Sequence, residues 1–432
     1  MWGAYIVCAL KTILRSVMMK RSLKLVVAPI ISLVIVTMAN GLFTTLLTLR
    51  LNENGVPAIF IGLVSGAYYA GMVIGSFQCE RFISRVGHIR AFAVMASASA
   101  AIFLAQGLCN DVWVNMFLRF CGGICMAGIF IVIESWLLAR STQRTRGQIL
   151  AVYMTALYAA QATAQFLLQL HTTEQLLLFC ICAMLASLSV IPVAMTYIRS
   201  PVIKEPSTLS FKKLYRISPI GVVGCFAGGL MLGAIYSLMP LFFAQLHYAV
   251  GDIAILMSVL IYGGMLLQYP VGRLSDFIGR RRVLIAITML TGAMCFLMIG
   301  FAQINMATLV LLVFLLGGFA FTLYPMAISY ACDYIPKADI VGATQGLLLA
   351  YGVGATIGPI VAPLFIHVTG TYGLPLFCIV VSVVTSIFFL WRSTQRKAIP
   401  VEEQQEYVTL PRTSPIANEL DPRAEEAEEE LL

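Results

Sequence analysis

Long apolar stretches separated by short polar connections occupy most of the chain. A helix needs about 20 apolar residues to cross the hydrocarbon core of a bilayer. Twelve stretches meet this requirement, six on each side of a basic segment. They predict transmembrane helices at residues 25–49, 57–78, 91–108, 112–139, 148–170, 176–198, 217–243, 253–271, 283–301, 306–331, 341–365 and 374–391. Because the runs are continuous rather than alternating, they exclude outer-membrane strands and predict an all-α membrane protein.

Composition and charge support a membrane protein and predict its orientation. Hydrophobic residues make up 60% of the chain and charged residues 11%, which excludes a soluble fold of this size. With both termini in the cytoplasm, 26 of the 28 Lys and Arg residues fall on the cytoplasmic side, the exceptions being Arg50 and Arg119. The basic residues stand singly between apolar runs, so nucleic acid is not an expected partner. We predict a multi-pass protein of the inner (cell) membrane.

The polar segments divide the chain into five parts. We expect a cytoplasmic N-terminal extension at residues 1–24, six-helix bundles at residues 25–198 and 217–391, and a cytoplasmic linker at residues 199–216 between them. The tail at residues 392–432 contains half of the 20 Asp and Glu residues, several of them in the run at 425–430. Such a composition favours an acidic, disordered cytoplasmic tail.

Two short patterns recur in the two halves. Gly87, after the second predicted helix, matches Gly279, after the eighth, at a spacing of 192 residues. A Gly-Gly pair at 122–123 matches a second pair at 317–318 at a spacing of 195. Parallel six-helix repeats imply a pseudo-two-fold axis along the membrane normal and a binding site between the halves.

The second copy of the loop pattern carries a family resemblance. Gly272, Asp276, Gly279 and Arg280, followed by Arg281, resemble the inner-loop signature of the major facilitator superfamily. The resemblance implies a transporter fold of twelve helices, in which the Asp caps a neighbouring helix and secures an inner gate. It covers essentially the whole transmembrane region.

Two further motifs carry the same resemblance. Arg119-x-x-Gly122 is similar to the arginine motif of the superfamily's fourth helix, and Gly354-x-x-x-Gly358-Pro359 is similar to its helix-packing motif. Residues 119–169 resemble the YcaD-like branch of bacterial transporters.

The inner gate is expected to differ between the halves. In the first copy Glu80 replaces the leading glycine and Ser84 replaces the acid. Arg85 or His88 paired with Glu134 is the expected substitute. In the second half we expect an ion-pair cluster of Asp276, Arg280 and Asp333 that separates when the cytoplasmic side opens.

Polar side chains within the spans predict the lining of a cavity. The third, sixth, ninth and twelfth spans are almost wholly apolar, so they are expected to face lipid, whereas larger polar groups in the other spans should face protein or water. The candidates are Asn40, Tyr69, Arg119, Gln161, Gln165, Tyr236, Tyr262 and Tyr351. Two alternatives stay open: Arg119 as a structural residue bonded to carbonyls or to Asn40 and Gln161, and the glutamines as interhelical hydrogen bonds.

These features predict a secondary or facilitative carrier that moves a small solute by alternating access. Arg119 favours a polar or anionic solute, whereas aromatic and Met-rich walls suit an amphipathic one. No nucleotide-binding loop occurs, and no cofactor or metal is expected.

We expect a monomer in the lipid bilayer. No acid lies in the middle of a predicted span, so proton coupling has Glu134 as its only near candidate and no other support, and facilitated diffusion stays open. A transport-inactive sensor or scaffold is the alternative function, and an enzyme is not expected.

Overall fold

Twelve long helices make up most of the described part of the chain. The computed structural model describes residues 2–170, 176–196, 210–303, 305–396 and 398–423, except for the side chains of residues 2–25, 143 and 144. The helices are α1 (Trp2–Glu53), α2 (Ala58–Val86), α3 (His88–Leu108), α4 (Val112–Ala139), α5 (Gln143–Ala164), α6 (Leu176–Leu188), α7 (Pro219–Gln245), α8 (Val250–Ile278), α9 (Arg280–Phe301), α10 (Met306–Cys332), α11 (Ile340–Thr369) and α12 (Gly373–Gln395).

Shorter helical segments join the long ones. A 3-10 turn, Gln165–Leu170, continues α5, and a short helix, Val190–Ala194, continues α6. The helix Phe211–Ile217 precedes α7 and belongs to the predicted linker, whose residues 199–209 lie outside the described part of the chain. All twelve predicted spans therefore coincide with helices.

Most of these helices are apolar enough to cross a membrane. By length and composition, ten stretches of the described residues qualify, and one of them, Lys337–Gln395, contains both α11 and α12. The helix that does not qualify is α5, whose glutamines and threonines lower its hydropathy. A helix with so many polar groups must be covered by protein on those faces, because lipid cannot bond them.

The two halves repeat the same backbone design. Gly87 ends α2 with φ 87°, and Gly279 ends α8 with φ 93°, so each turn lies in the region that a side chain disfavours. Both glycines let the chain reverse at the same end of the bundle. This end, which carries Arg280, Arg281 and Arg282 at the start of α9, is called the basic end below.

Paired helices cross with their backbones in contact. A Cβ atom at Gly71 or at Gly263 would collide with the main chain of Phe120 or Phe314, respectively. In the reverse direction, Gly123 faces the carbonyl oxygen of Tyr68, and Gly317 faces that of Leu260. The equivalent pair is thus Gly123 and Gly317, 194 residues apart, and the sequence-based spacing of 195 is wrong by one residue. The crossings of α2 with α4 and of α8 with α10 are equivalent.

The remaining helices divide into a seam and a periphery. Extensive contacts between the halves are made by α2 with α11, α5 with α8 and α1 with α7. Among the described residues, α3, α6, α9 and α12 pack mainly within their own halves. The seam is closed at the end opposite the basic end. There, Gly62 of α2 lies against the carbonyl oxygen of Pro359, and Thr48 donates a hydrogen bond of 3.0 Å to the carbonyl of Ser237.

The C-terminal segment returns into the bundle at the basic end. Residues 398–423 have no α-helix, but Leu410, Ile416 and Leu420 are at most 7% exposed. The disordered tail expected for residues 392–432 is therefore wrong for this part, while the acidic run at 425–430 lies outside the described residues. The reason is local composition: residues 407–418 contain no acid, and their apolar side chains have a cavity to enter.

A single methyl group tests the backbone crossings. Gly263→Ala should destabilise the protein by about 1–3 kcal/mol, because the added Cβ forces α8 away from α10. Gly300→Ala, at a helical glycine with nothing within 4 Å of the added Cβ, should be neutral or slightly stabilising. Thermal unfolding of both variants in detergent measures the difference. Equal Tm values for the two variants would contradict the crossing.

Candidate functional site

A cavity of about 860 Å³ lies between the two halves. It extends from Asn40 and Tyr351 in the middle of the bundle to Ser84 and Gln345 near the basic end. Its walls come from both halves and from the C-terminal segment, so any solute bound there contacts both halves at once. Hydroxyl, amide and aromatic groups alternate with apolar surface, as in Thr44, Tyr69, Met72, Leu157, Gln161, Tyr236, Met257 and Leu349.

Hydrogen bonds fix the polar groups on the first-half wall. Asn40 Nδ2 donates to Tyr68 Oη at 3.0 Å, and Gln165 Nε2 donates to the carbonyl of Gly41 at 3.1 Å. Glycine at position 41 lets α1 lie this close to α5, because a Cβ there would be only 3.3 Å from the Cα of Gln161. The sequence leaves two roles open for the glutamines, interhelical hydrogen bonding and cavity lining. Gln165 has both, because it donates a hydrogen bond to α1 and also lines the cavity.

One hydrogen bond crosses the seam inside the cavity. Tyr236 Oη of α7 donates to Gln161 Oε1 of α5 at 3.2 Å. Of the eight residues expected to line a cavity, the structure brings six together: Asn40, Tyr69, Gln161, Gln165, Tyr236 and Tyr351.

Arg119 and Tyr262 are the two that do not line the cavity. The Arg119 side chain lies behind Tyr68, with its Cζ 4.3 Å from the centre of that ring, and Nη2 donates to Thr44 Oγ1 at 3.1 Å. Tyr262 instead shares a 3.1 Å hydrogen bond with Thr163 where α8 meets α5. Arg119 is thus a buried residue between α4, α1 and α2, and its partners differ from the carbonyls and amides that the sequence suggested.

A buried ion pair lies in the second half at the basic end. Arg280 Nη1 lies 2.5 Å from Asp333 Oδ1 and also donates to the carbonyl of Ser329 at 2.7 Å. Arg280 Nη2 lies 3.4 Å from Asp276 Oδ1. Burial raises the pKa of Asp333 to about 6, although Arg280 opposes this shift. The structure thus brings together the three residues of the expected cluster.

The C-terminal segment binds to the same cluster. The backbone N–H of Gln405 donates to Asp333 Oδ1 at 3.1 Å, and that of Tyr407 donates to Asp276 Oδ2 at 3.4 Å. The ring of Tyr407 lies over Gly272, where any side chain would overlap it. Gly272 and Asp276 of the loop motif, together with Asp333, therefore form the surface on which this segment rests.

The first-half gate differs from the expectation. Glu134 accepts hydrogen bonds from Tyr153 of α5 and from Thr413 and Ser414 of the C-terminal segment. His88 is buried beside Trp136, 6.1 Å between ring centres, and Arg85 is exposed. The predicted pairing of Glu134 with Arg85 or His88 is therefore wrong, because hydroxyl groups take the place of the cation.

The helix-packing motif lies beside the cavity on α11. A Cβ at Gly354 or at Gly358 would collide with the α7 backbone at Phe226 or Leu230. The carbonyl of Pro359 faces α2 across the seam. These residues place Tyr351, one turn earlier, at the cavity wall.

Sequence reasoning missed the part of the site that the C-terminal segment supplies. Arg412, Thr413, Ser414 and Ile416 all line the cavity. The available signal is the acid-free stretch at residues 407–418, with hydroxyl and apolar residues around one arginine.

Comparison with known proteins identifies the family. A family model described as Major Facilitator Superfamily matches residues 30–261 and 222–419. The chain belongs to the major facilitator superfamily. This transporter is 31% identical to the MFS-type transporter YcaD of Salmonella enteritidis over 362 residues, which are 83% of this chain and 92% of that one. The YcaD of Escherichia fergusonii is also 31% identical, over 76% of this chain and 85% of that one.

Solved structures share the fold at low sequence identity. A point mutant of the nucleoside transporter NupG superposes with a TM-score of 0.73 at 14% identity, covering 84% of this chain and 98% of that one. A bacterial homologue of the human lysosomal transporter Spinster, in an inward-facing and unoccupied conformation, gives a TM-score of 0.67 at 12% identity, covering 89% and 98%. This major facilitator protein is a membrane transporter.

The buried ion pair can be tested against an exposed one. Asp333→Asn should lower the unfolding free energy by about 3 kcal/mol, because it leaves the buried Arg280 with less compensation. Asp339→Asn removes the same charge from an exposed pair with Lys213, 3.8 Å apart, and should have little effect. Thermal unfolding in detergent measures both. A Tm loss of similar size in the two variants would rule out a special contribution from Asp333.

Proposed function

We propose that the protein carries a small solute across the inner membrane by alternating access, as a monomer with both termini in the cytoplasm. The observation that carries this proposal is one cavity between two pseudo-symmetric halves, closed at one end by α2 against α11 and continuing to the basic end. Rocking of the halves about this cavity would expose it to each side in turn. The surplus of basic residues supports the cytoplasm as the side of the basic end.

Asp276, Arg280 and Asp333 brace the second-half side of the inner gate in this proposal. In the present arrangement Arg280 and Asp333 are buried and Asp276 is partly exposed, and the network reaches the end of α10. In the first half the corresponding place is taken by Glu134 and its hydroxyl partners. The gate thus has an ion-pair network in one half and a carboxyl group bonded by hydroxyl groups in the other.

A transport assay tests the proposal. Uptake of a panel of radiolabelled solutes into proteoliposomes should exceed uptake into protein-free liposomes for at least one solute. A pH gradient, applied to the protein and to Glu134→Gln, separates proton coupling from facilitated diffusion: coupled uptake responds to the gradient and loses the response in the variant. No flux with any solute, from protein that remains folded, would favour the sensor or scaffold alternative.

Alternating access predicts labelling at the closed end. Ser65, one turn beyond Gly62 on α2, is 5% exposed in the present arrangement. In a Cys109→Ser background, Ser65→Cys should react with a membrane-impermeant maleimide only when the closed end opens, and added substrate should change its rate. Asn54→Cys, in the exposed α1–α2 connection, should react at once in all conditions. Equal rates at both positions would contradict closure of this end.

A further inference from the structure

Four aromatic rings surround the guanidinium of Arg412 in the middle of the bundle. Its Cζ lies 4.6 Å from the ring centre of Phe321 and 5.7 Å from those of Tyr158 and Tyr236. The fourth ring, Tyr351, is 5.9 Å away. The rings come from α5, α7, α10 and α11, so both halves contribute. These four residues are called the aromatic cage below.

The cage holds a cation without a carboxylate. Among the residues that the structure describes, Arg412 forms no ion pair, and its one hydrogen bond to the cage runs from Nη2 to Tyr236 Oη at 3.4 Å. Glu134, which also faces the C-terminal segment, is already bonded to Tyr153, Thr413 and Ser414. Attraction to the negative faces of the rings is therefore the principal force on the guanidinium. Such cages recognise guanidinium and quaternary ammonium groups.

Arg412 reaches the cage from outside the helical bundle. Its segment is held by hydrogen bonds to Asp276, Asp333 and Glu134 and by buried apolar side chains, and it has no α-helix of its own. By contrast, Arg119 stacks on Tyr68 from within the bundle and cannot leave. The segment around Arg412 can withdraw without breaking any transmembrane helix.

The unfilled part of the cavity adjoins the cage. Tyr236 and Tyr351 line both the cage and the open volume, whereas Tyr158 and Phe321 line only the cage. A small cation entering from the basic end would therefore meet the cage at the position that Arg412 now occupies.

We propose that the aromatic cage is the binding site of an organic cation, of the guanidinium or quaternary ammonium class, and that Arg412 is a tethered occupant that competes with it. The proposal names the substrate class of the transport function proposed above and rests on that function only for movement across the membrane. Binding itself requires the cage alone.

Calorimetric titration of the purified full-length protein in detergent tests this competition. The probes are 1-butylguanidinium, tetraethylammonium, the neutral isostere butylurea and the anion butanesulfonate. Arg412→Gln should bind both cations at least about tenfold more tightly than the unaltered protein, because the cage is no longer occupied. Arg412→Lys keeps a tethered cation and should resemble the unaltered protein. Arg392→Gln, the matched control, removes an arginine over the Trp391 ring outside the cavity and should change nothing.

A second variant tests the cage itself. Phe321→Leu in the Arg412→Gln background should weaken cation binding at least about tenfold, since it removes the nearest ring. Thermal unfolding confirms that each variant is folded. The proposal is overturned if Arg412→Gln binds the cations no more tightly than the unaltered protein, or if butylurea binds equally well. It is also overturned if Arg412→Gln loses affinity for butanesulfonate, which would make Arg412 an anion-binding residue.

The result is separable from that of the transport assay. Cation binding without flux would leave the cage in place and remove the transport proposal. Flux of a neutral or anionic solute without cation binding would support the transport proposal and overturn the proposal of a cation site in the cage.

Discussion

Close contact between helix backbones is the constraint on which the structure depends. In a bilayer, helices gain little from burying apolar groups against one another, so packing at small residues must hold them together. Here α2 with α4, α8 with α10, and α7 with α11 each meet at glycines that face a carbonyl oxygen of the partner helix. These crossings build two firm halves from six helices each. The polar faces of α1, α5, α7 and α11 are then left at the seam, where they line a shared cavity.

The number of helices and the location of the cavity could be predicted from sequence, because both follow from spacing. Residue count along a helix gives the depth of Asn40, Gln161 and Tyr351, and the structure places all three on one cavity. It does not give the direction of a side chain around the helix. The sequence predicts Arg119 in the cavity, but α4 turns it toward the ring face of Tyr68 and the hydroxyl of Thr44. The direction of the Arg119 side chain depends on how α4 crosses α2, and the sequence of α4 alone does not predict that crossing.

The C-terminal segment was beyond prediction for a different reason. Its composition, averaged over residues 392–432, resembles that of a disordered chain, and it gains order only from partners far away in sequence. Thr413 and Ser414 bond Glu134 across nearly 280 positions. The same contacts explain why the first-half gate lacks the cation expected at Arg85 or His88. Ser84 stands where the motif has its acid, and the buried Glu134 takes its hydrogen bonds from hydroxyl groups instead.

The seated C-terminal segment also bears on the balance between the two conformations of the carrier. It fits only while the halves are apart at the basic end, since it lies between Glu134 of one half and Asp276 and Asp333 of the other. Anything that binds one state and not the other shifts the equilibrium toward the state it binds. On the transport cycle proposed above, residues 405–414 would thus act as a built-in effector: they favour the form that is open at the basic end, and each swing of the halves requires their release first.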